Sequence, residues 1–205
     1  MSSPILEVDD LHLSFASRDG VTRAVEGISY QVHAGEMLGV VGESGCGKSV
    51  TAMAILRLLP PAPTTHARGA IRFRGEDLLQ ASEARMQEIR GNAISMIFQD
   101  PMTSLNPVLT IGEQIAEVLI LHQRMGRKAA WERVAELLAL VNIPDPQRRV
   151  KEYPHQFSGG MRQRAMIALA LACKPAVLIA DEPTTALDVT IQAQIMDLLD
   201  RLRRE

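Results

Sequence analysis

The sequence predicts an α/β fold: a mainly parallel sheet with an N-terminal antiparallel β region and a helical insert in its middle. Three observations predict it. Two short, uniformly apolar runs, residues 37–41 and 176–180, have the composition of strands buried on both faces. Strand-like and helix-like periodicities alternate on either side of those runs. From about residue 100 to residue 156 the strand signal gives way to helical spacing.

Taken in order, residues 5–15 alternate in places, Arg18-Asp19-Gly20 reads as a hairpin turn, and residues 21–32 return as a second strand. The run 37–41 feeds a glycine-rich turn and then a helix over about 48–59, which Pro60, Pro61 and Pro63 stop. Residues 70–74 and 93–98 read as further strands. In the helical insert Ile111, Ile115, Val118 and Leu119 share one face, and so do Trp131, Val134, Leu137, Leu138 and Val141. Ser158-Gly159-Gly160 opens a helix to about Cys173, the strand 176–180 ends in Asp181-Glu182, and residues 191–202 form a last amphipathic helix.

With 205 residues the chain is long enough for one well-cored domain. Its 46% apolar and 22% charged residues are ordinary for a globular protein. Lysine and arginine number 22 against 24 acidic residues, so the net charge of −2 supplies no global basic field for nucleic acid or anionic lipid. Cys46 and Cys173 are too few for a disulfide framework and lack metal-ligand spacing, which fits a reducing cytosol. No apolar run approaches the roughly 18–20 residues of a membrane span. The N-terminus is acidic and lacks a signal-peptide pattern. Any service to a membrane is therefore expected from outside the bilayer.

Gly42-Glu43-Ser44-Gly45-Cys46-Gly47-Lys48-Ser49 is a complete phosphate-loop motif between an expected strand and an expected helix. Glycines let backbone N–H groups turn inward and approach phosphate oxygens with no Cβ in the way. The helix that follows presents its positive end. Lys48 can reach the β- and γ-phosphates of ATP, and the Ser49 hydroxyl can ligand Mg²⁺. Cys46 reads as a small filler of the loop, although a helix dipole is also a reason for a lowered thiol pKa. Downstream, the strand 176–180 delivers Asp181 and Glu182 at its C-terminal end, where open α/β sheets place ligands. Asp181 is the candidate Mg²⁺ ligand and Glu182 the candidate general base for an attacking water.

Phe157-Ser158-Gly159-Gly160-Met161-Arg162-Gln163-Arg164, placed just before the Asp181-Glu182 strand, resembles the signature of the ABC ATPases, usually written LSGGQ. The resemblance covers essentially the whole chain and implies a P-loop NTPase fold of the ABC type. It implies that Gln99, in Ile97-Phe98-Gln99-Asp100-Pro101, touches Mg²⁺ or water and senses the membrane subunits. It also implies that Asp188, after Leu187, lies in a loop crossing a dimer interface and that Phe15 stacks on adenine. Ser158, Gly159 and Gly160 would then hold the nucleotide of a second ATPase subunit. Residues 98–107 and 153–161 look like the dipeptide and oligopeptide importer branch, where Phe157 and Met161 are common departures. His155 reads as structural. That branch implies a heterodimer of related ATPases, two transmembrane permease subunits, a substrate-binding protein, and a seat on the cytoplasmic face of the bacterial inner membrane. The domain expectation is one nucleotide-binding domain over 1–205, with a helical subdomain at about 100–160.

The chain stops 17 residues after Asp188, and no histidine follows His155. In the family a further strand delivers a histidine to the γ-phosphate and lies between the phosphate-loop strand and the Asp181 strand. The expectation is therefore C-terminal truncation, two neighbouring strands with unpaired backbone, weak or absent ATP hydrolysis, and poor solubility. Two other readings stay open at this stage. One is a non-hydrolysing nucleotide-binding protein, and the other is an ABC ATPase that acts on nucleic acid or the ribosome without transport.

Overall fold

Leu6, Val8, Leu11 and Leu13 are the buried side chains of the first strand. Their period of two breaks phase between Val8 and Leu11, and the structure, a computed structural model, puts a register shift there. It describes residues 3–18, 20–183 and 189–204. Asp10 takes up the extra residue at φ 44, and Gly69 passes opposite it at φ +94. A Cβ at Gly69 would run into the Asp9 and Asp10 carbonyl oxygens, so only glycine fits. The bulge thus keeps both halves of the strand facing one core.

Two compact units divide the chain between Arg90 and Gly91. The first holds β1 (Leu6–Ser17), β2 (Gly20–Val32), α1 (Lys48–Ile55), β3 (Thr65–Phe73), β4 (Glu76–Asp77) and α2 (Glu83–Ile89). Its strands form one antiparallel sheet in the order β2-β1-β3-β4. The expected hairpin is present: Ser17 pairs with Gly20, and the Ser17 hydroxyl donates to the Gly20 carbonyl at 3.1 Å. Helix α1 ends at Ile55, earlier than the expected residue 59, where Arg57 turns left-handed at φ 50. Arg90 closes this end, donating through Nε to the Leu56 carbonyl (2.7 Å) and through Nη2 to the Arg57 carbonyl (3.1 Å). Those are carbonyls a helix end leaves without intrahelical donors.

The expected strand at 37–41 does not form. Among the described residues no backbone hydrogen bond joins it to another segment. Its side chains face outward: Met37 is 52% exposed, Val40 58% and Val41 93%. An apolar run becomes a strand only by pairing, and here no ladder satisfies its N–H and C=O groups.

The second unit holds β5 (Ile94–Ile97), α3 (Pro101–Ser104), α4 (Ile111–Gln123), α5 (Arg127–Leu140), α6 (Pro146–Arg149), α7 (Gly159–Leu171), β6 (Val177–Ala180) and α8 (Val189–Arg204). The parallel layer among the described residues is the pair β5–β6, in register from Ile94↔Val177 to Ile97↔Ala180. All four β5 residues are buried, as a uniformly apolar run requires. Between residues 101 and 149 the described elements are all helices, as the spacing predicts. Ile111, Ile115 and Leu119 of α4 meet Val134, Leu137 and Leu138 of α5 in one core with Ala165, Met166 and Ile167 of α7. Helix α4 begins with a capping box: the Thr110 hydroxyl accepts from Glu113 N at 3.2 Å, while the Glu113 carboxylate accepts from Thr110 N at 2.8 Å.

Helix α7 buries two polar side chains among those apolar neighbours, Gln163 at 2% exposure and Arg164 at 7%. The Arg164 guanidinium donates to the Val141 carbonyl at the end of α5 (2.8 Å) and to Gln194 Oε1 on α8 (2.6 Å). Burial pushes its pKa down.

Candidate functional site

In the first unit the loop from Gly42 to Gly47 leads into α1, and its geometry follows from two glycines. Gly47 is the helix N-cap at φ 94, in the left-handed region. A Cβ there would lie 2.6 Å from the Ala24 carbonyl oxygen and 3.0 Å from Val25 Cγ2 on β2. A Cβ at Gly42 would lie 2.5 Å from Cys46 Sγ, so a larger residue there would force the thiol to turn away. The Lys48 ammonium donates to the Gly42 carbonyl (2.7 Å) and the Glu43 carbonyl (2.8 Å), with Cys46 Sγ at 3.7 Å. That ties the cation back onto the start of the loop.

Gly42, Ser44, Gly45 and Cys46 are exposed, while Gly47, Lys48 and Ser49 are half-buried. Gly45 turns at φ 81 into open space. A fixed lysine, a hydroxyl one residue later and a helix start form an anion-accepting mouth. Phe15 stands half-buried on β1 of the same unit, opposite Thr22 and Thr65.

In the second unit the parallel register builds a second cluster. Because Ile97 pairs with Ala180, Gln99 and Glu182 each sit two residues past a matched pair. The Gln99 amide Nε2 donates to Glu182 Oε2 at 2.9 Å. Asp181 N continues the ladder by one bond, to the Ile97 carbonyl at 3.0 Å. Glu182 itself is exposed and takes φ 45, a left-handed conformation unusual for a long side chain.

Ser158 caps α7, its hydroxyl accepting from Met161 N at 3.3 Å, and it is exposed together with Gly159. Gly160 is half-buried, and a Cβ at Gly159 would meet nothing within 4 Å. The exposed start of α7 has the form expected of an anion cradle, although the hydroxyl is engaged in capping. His155 is stacked on Tyr153 with ring centroids 5.6 Å apart. Leu187 and Asp188 lie outside the described residues.

The sequence reading gave no role to Gln163. Its Nε2 donates to the Pro183 carbonyl at 2.6 Å, next to Glu182. Flanked by Arg162 and Arg164, Gln163 carries no local signal of burial.

Buried short strands, a glycine loop at a helix start and a lysine within that loop define an α/β fold of the phosphate-loop nucleotide-binding type. Within that class the match is specific. A family model described as "ABC transporter" covers residues 25–185, and the chain belongs to that family.

It is 59% identical over 202 residues to a probable peptide ABC transporter ATP-binding protein, y4tR, of Sinorhizobium fredii, covering 97% of this chain and 60% of that protein. It is 55% identical over 201 residues to the dipeptide transport ATP-binding protein DppD of Bacillus subtilis, covering 98% of this chain and 60% of the relative. The chain thus spans about 60% of the length of these curated relatives. Among solved structures it resembles the dimeric post-hydrolysis state of the ATP-binding cassette MJ0796, bound to ADP and Pi. The TM-score is 0.85 at 28% identity, over 97% of this chain and 82% of that one.

Proposed function

We propose that the protein binds and hydrolyses ATP to power import of peptides, or a related small solute, through a membrane ABC permease. The observation that carries this reading is the phosphate loop, with Gly47 held left-handed and the Lys48 ammonium donating to the Gly42 and Glu43 carbonyls of the loop. The names of the relatives, a peptide transporter and a dipeptide transporter, supply the substrate class.

In this proposal Gly42, Ser44, Gly45, Cys46 and Gly47 wrap the phosphates, and Lys48 neutralises the β- and γ-oxygens. Phe15 stacks on adenine. Glu182 takes the proton of the water that attacks the γ-phosphorus, as the bond to the bridging oxygen breaks and ADP leaves. Gln99, hydrogen-bonded to Glu182, keeps that carboxylate oriented. The donors Ser49, Gln99 and Asp181 are hard oxygens, and a site with one carboxylate plus phosphates and water is the kind Mg²⁺ favours. When bound, Mg²⁺ would supply neutralising charge at the β- and γ-oxygens. Ser158, Gly159 and Gly160 face the nucleotide of a second ATPase subunit, and Asp188 lies at that interface. The solved neighbour MJ0796, dimeric and bound to ADP and Pi, supports the pairing of two such ATPases.

We take residues 1–205 as one nucleotide-binding domain with a helical subdomain at about 100–160. Its partners are a related ATPase, two transmembrane permease subunits and, indirectly, a substrate-binding protein, with no nucleic acid. No helix among the described residues is long and apolar enough to cross a membrane, and the proposed seat is peripheral, on the cytoplasmic face of the inner membrane.

The test is Glu182→Gln in the complete gene product. ATP binding should persist, turnover should fall about 100-fold or more, and an ATP-loaded dimer should accumulate in size-exclusion chromatography. A variant that hydrolyses ATP at the parent rate overturns the reading.

A further inference from the structure

We infer that Gln163 is a positioning residue for Glu182, an inference that rests on the ATPase reading above. Glu182 is held at φ 45, a conformation that costs an L residue energy, so something around it must fix the chain. On the N-terminal side Asp181 N is tied to the Ile97 carbonyl of β5 at 3.0 Å. On the C-terminal side Pro183 has no N–H to contribute. Its carbonyl is the polar group left to hold, and Gln163 Nε2 holds it at 2.6 Å.

The carbonyl can only accept, so the amide nitrogen is the end that must face it. Gln163 is 2% exposed, which shields this bond from competing water. The two anchors bracket Glu182, and Gln99 meets its carboxylate at 2.9 Å as a third constraint.

The amide comes from α7, five residues into the helix that Ser158 caps, and not from the loop itself. Helix α7 is packed into the unit's core through Ala165, Met166 and Ile167. Glu182 is thereby referenced to a rigid element rather than to its own turn. Gln163 touches no substrate in this proposal, and its effect passes through the placement of one carboxylate. Misplacement of a reacting group by about 1 Å can cost up to about 100-fold in rate without weakening binding.

The experiment uses the complete gene product. Gln163→Met removes the donor at similar length, and Gln163→Glu replaces the donor with an acceptor facing another acceptor. Steady-state ATP hydrolysis by the folded variants should show kcat lowered about tenfold with KM for ATP within about twofold of the parent. In the Glu182→Gln background, single-turnover measurement of Gln163→Met should show no further loss, because both changes act through the same carboxylate.

A merely structural tie would lower the melting temperature and leave kcat per folded molecule unchanged. That outcome overturns the inference, as does a loss that multiplies with Glu182→Gln. A folded parent that fails to hydrolyse ATP at all overturns the proposed function itself, and every variant is then equally inert.

Discussion

Gly47→Ala separates two physical costs that the phosphate loop imposes, and Gly45→Ala is its control. Both glycines sit at positive φ, 94 and 81. Placing alanine in such a conformation costs about 1–2 kcal/mol. At Gly45 a Cβ meets no protein atom within 4 Å, so within the protein itself the torsional cost is the whole effect. At Gly47 the added methyl lies 2.6 Å from the Ala24 carbonyl oxygen and 3.0 Å from Val25 Cγ2. The first of these partners is backbone and cannot rotate away, so loop or strand must shift.

If the unliganded loop relaxes to relieve the strain, nucleotide binding must restore it, and the cost is read as lost affinity. Gly45→Ala should then weaken ATP binding by roughly 5–30-fold, from about 1–2 kcal/mol at 1.4 kcal/mol per decade. Gly47→Ala carries the steric cost as well, about 3 kcal/mol or more in all, and should lose over about 100-fold. The assay is titration with a fluorescent ATP analogue, with circular dichroism confirming that both variants fold. Equal losses for the two substitutions, or a Gly47→Ala affinity within about twofold of the parent, would refute the reasoning.

Arg164→Met should destabilise the protein by about 1–2 kcal/mol in urea unfolding: the buried Val141 carbonyl loses its donor, and release of a desolvated charge offsets part of the cost. Hydrogen exchange in α8 should rise as the Gln194 tie is lost, and an unchanged α8 would contradict the assignment. Backbone and hydroxyl hydrogen bonds from Thr110 hold the Glu113 carboxyl below its ordinary pKa. A lowered folded-state value adds stability above the unfolded pKa of about 4.3, and that stability is lost as pH falls through the folded value. The stability gap between the parent and Glu113→Gln should therefore be constant near neutrality and close on acidification below about pH 4.5. A gap that widens with acid would reverse the sign and exclude the capping box as its origin.

Much of this molecule was legible where local chemistry decides the outcome. The phosphate loop reads directly, because glycine is the residue that reaches left-handed φ cheaply, and Gly47 does so. The helical faces of Ile111–Ile115–Leu119 and Val134–Leu137–Leu138 follow from a period that survives folding. The strands at 93–98 and 176–180 were each visible as runs, but their pairing was not, and it is the register of that pair that places Gln99 beside Glu182.

Residues 37–41 are as uniformly apolar as β6 yet form no strand, because pairing is a property of neighbours and not of the run itself. The β-bulge at Asp9 and Asp10 was seen only as alternation that holds in places, since its partner Gly69 is distant in sequence. Gln163 and Arg164 entered the sequence reading only as the end of the signature stretch, and both are buried. Their burial is set by α5, α8 and the loop at Pro183, which no local pattern encodes.

The bare segment from Met37 to Val41 has a practical corollary for anyone handling this polypeptide. Five successive residues carry no charge and no proline, three of them are more than half exposed, and their main chain is free to join a neighbouring molecule edge to edge. Turbidity should climb with concentration and temperature. Val40→Lys, which puts a like charge into every intermolecular contact, should suppress it. The stretch that launches the chain toward its phosphate loop is thus also where association between molecules is expected to start.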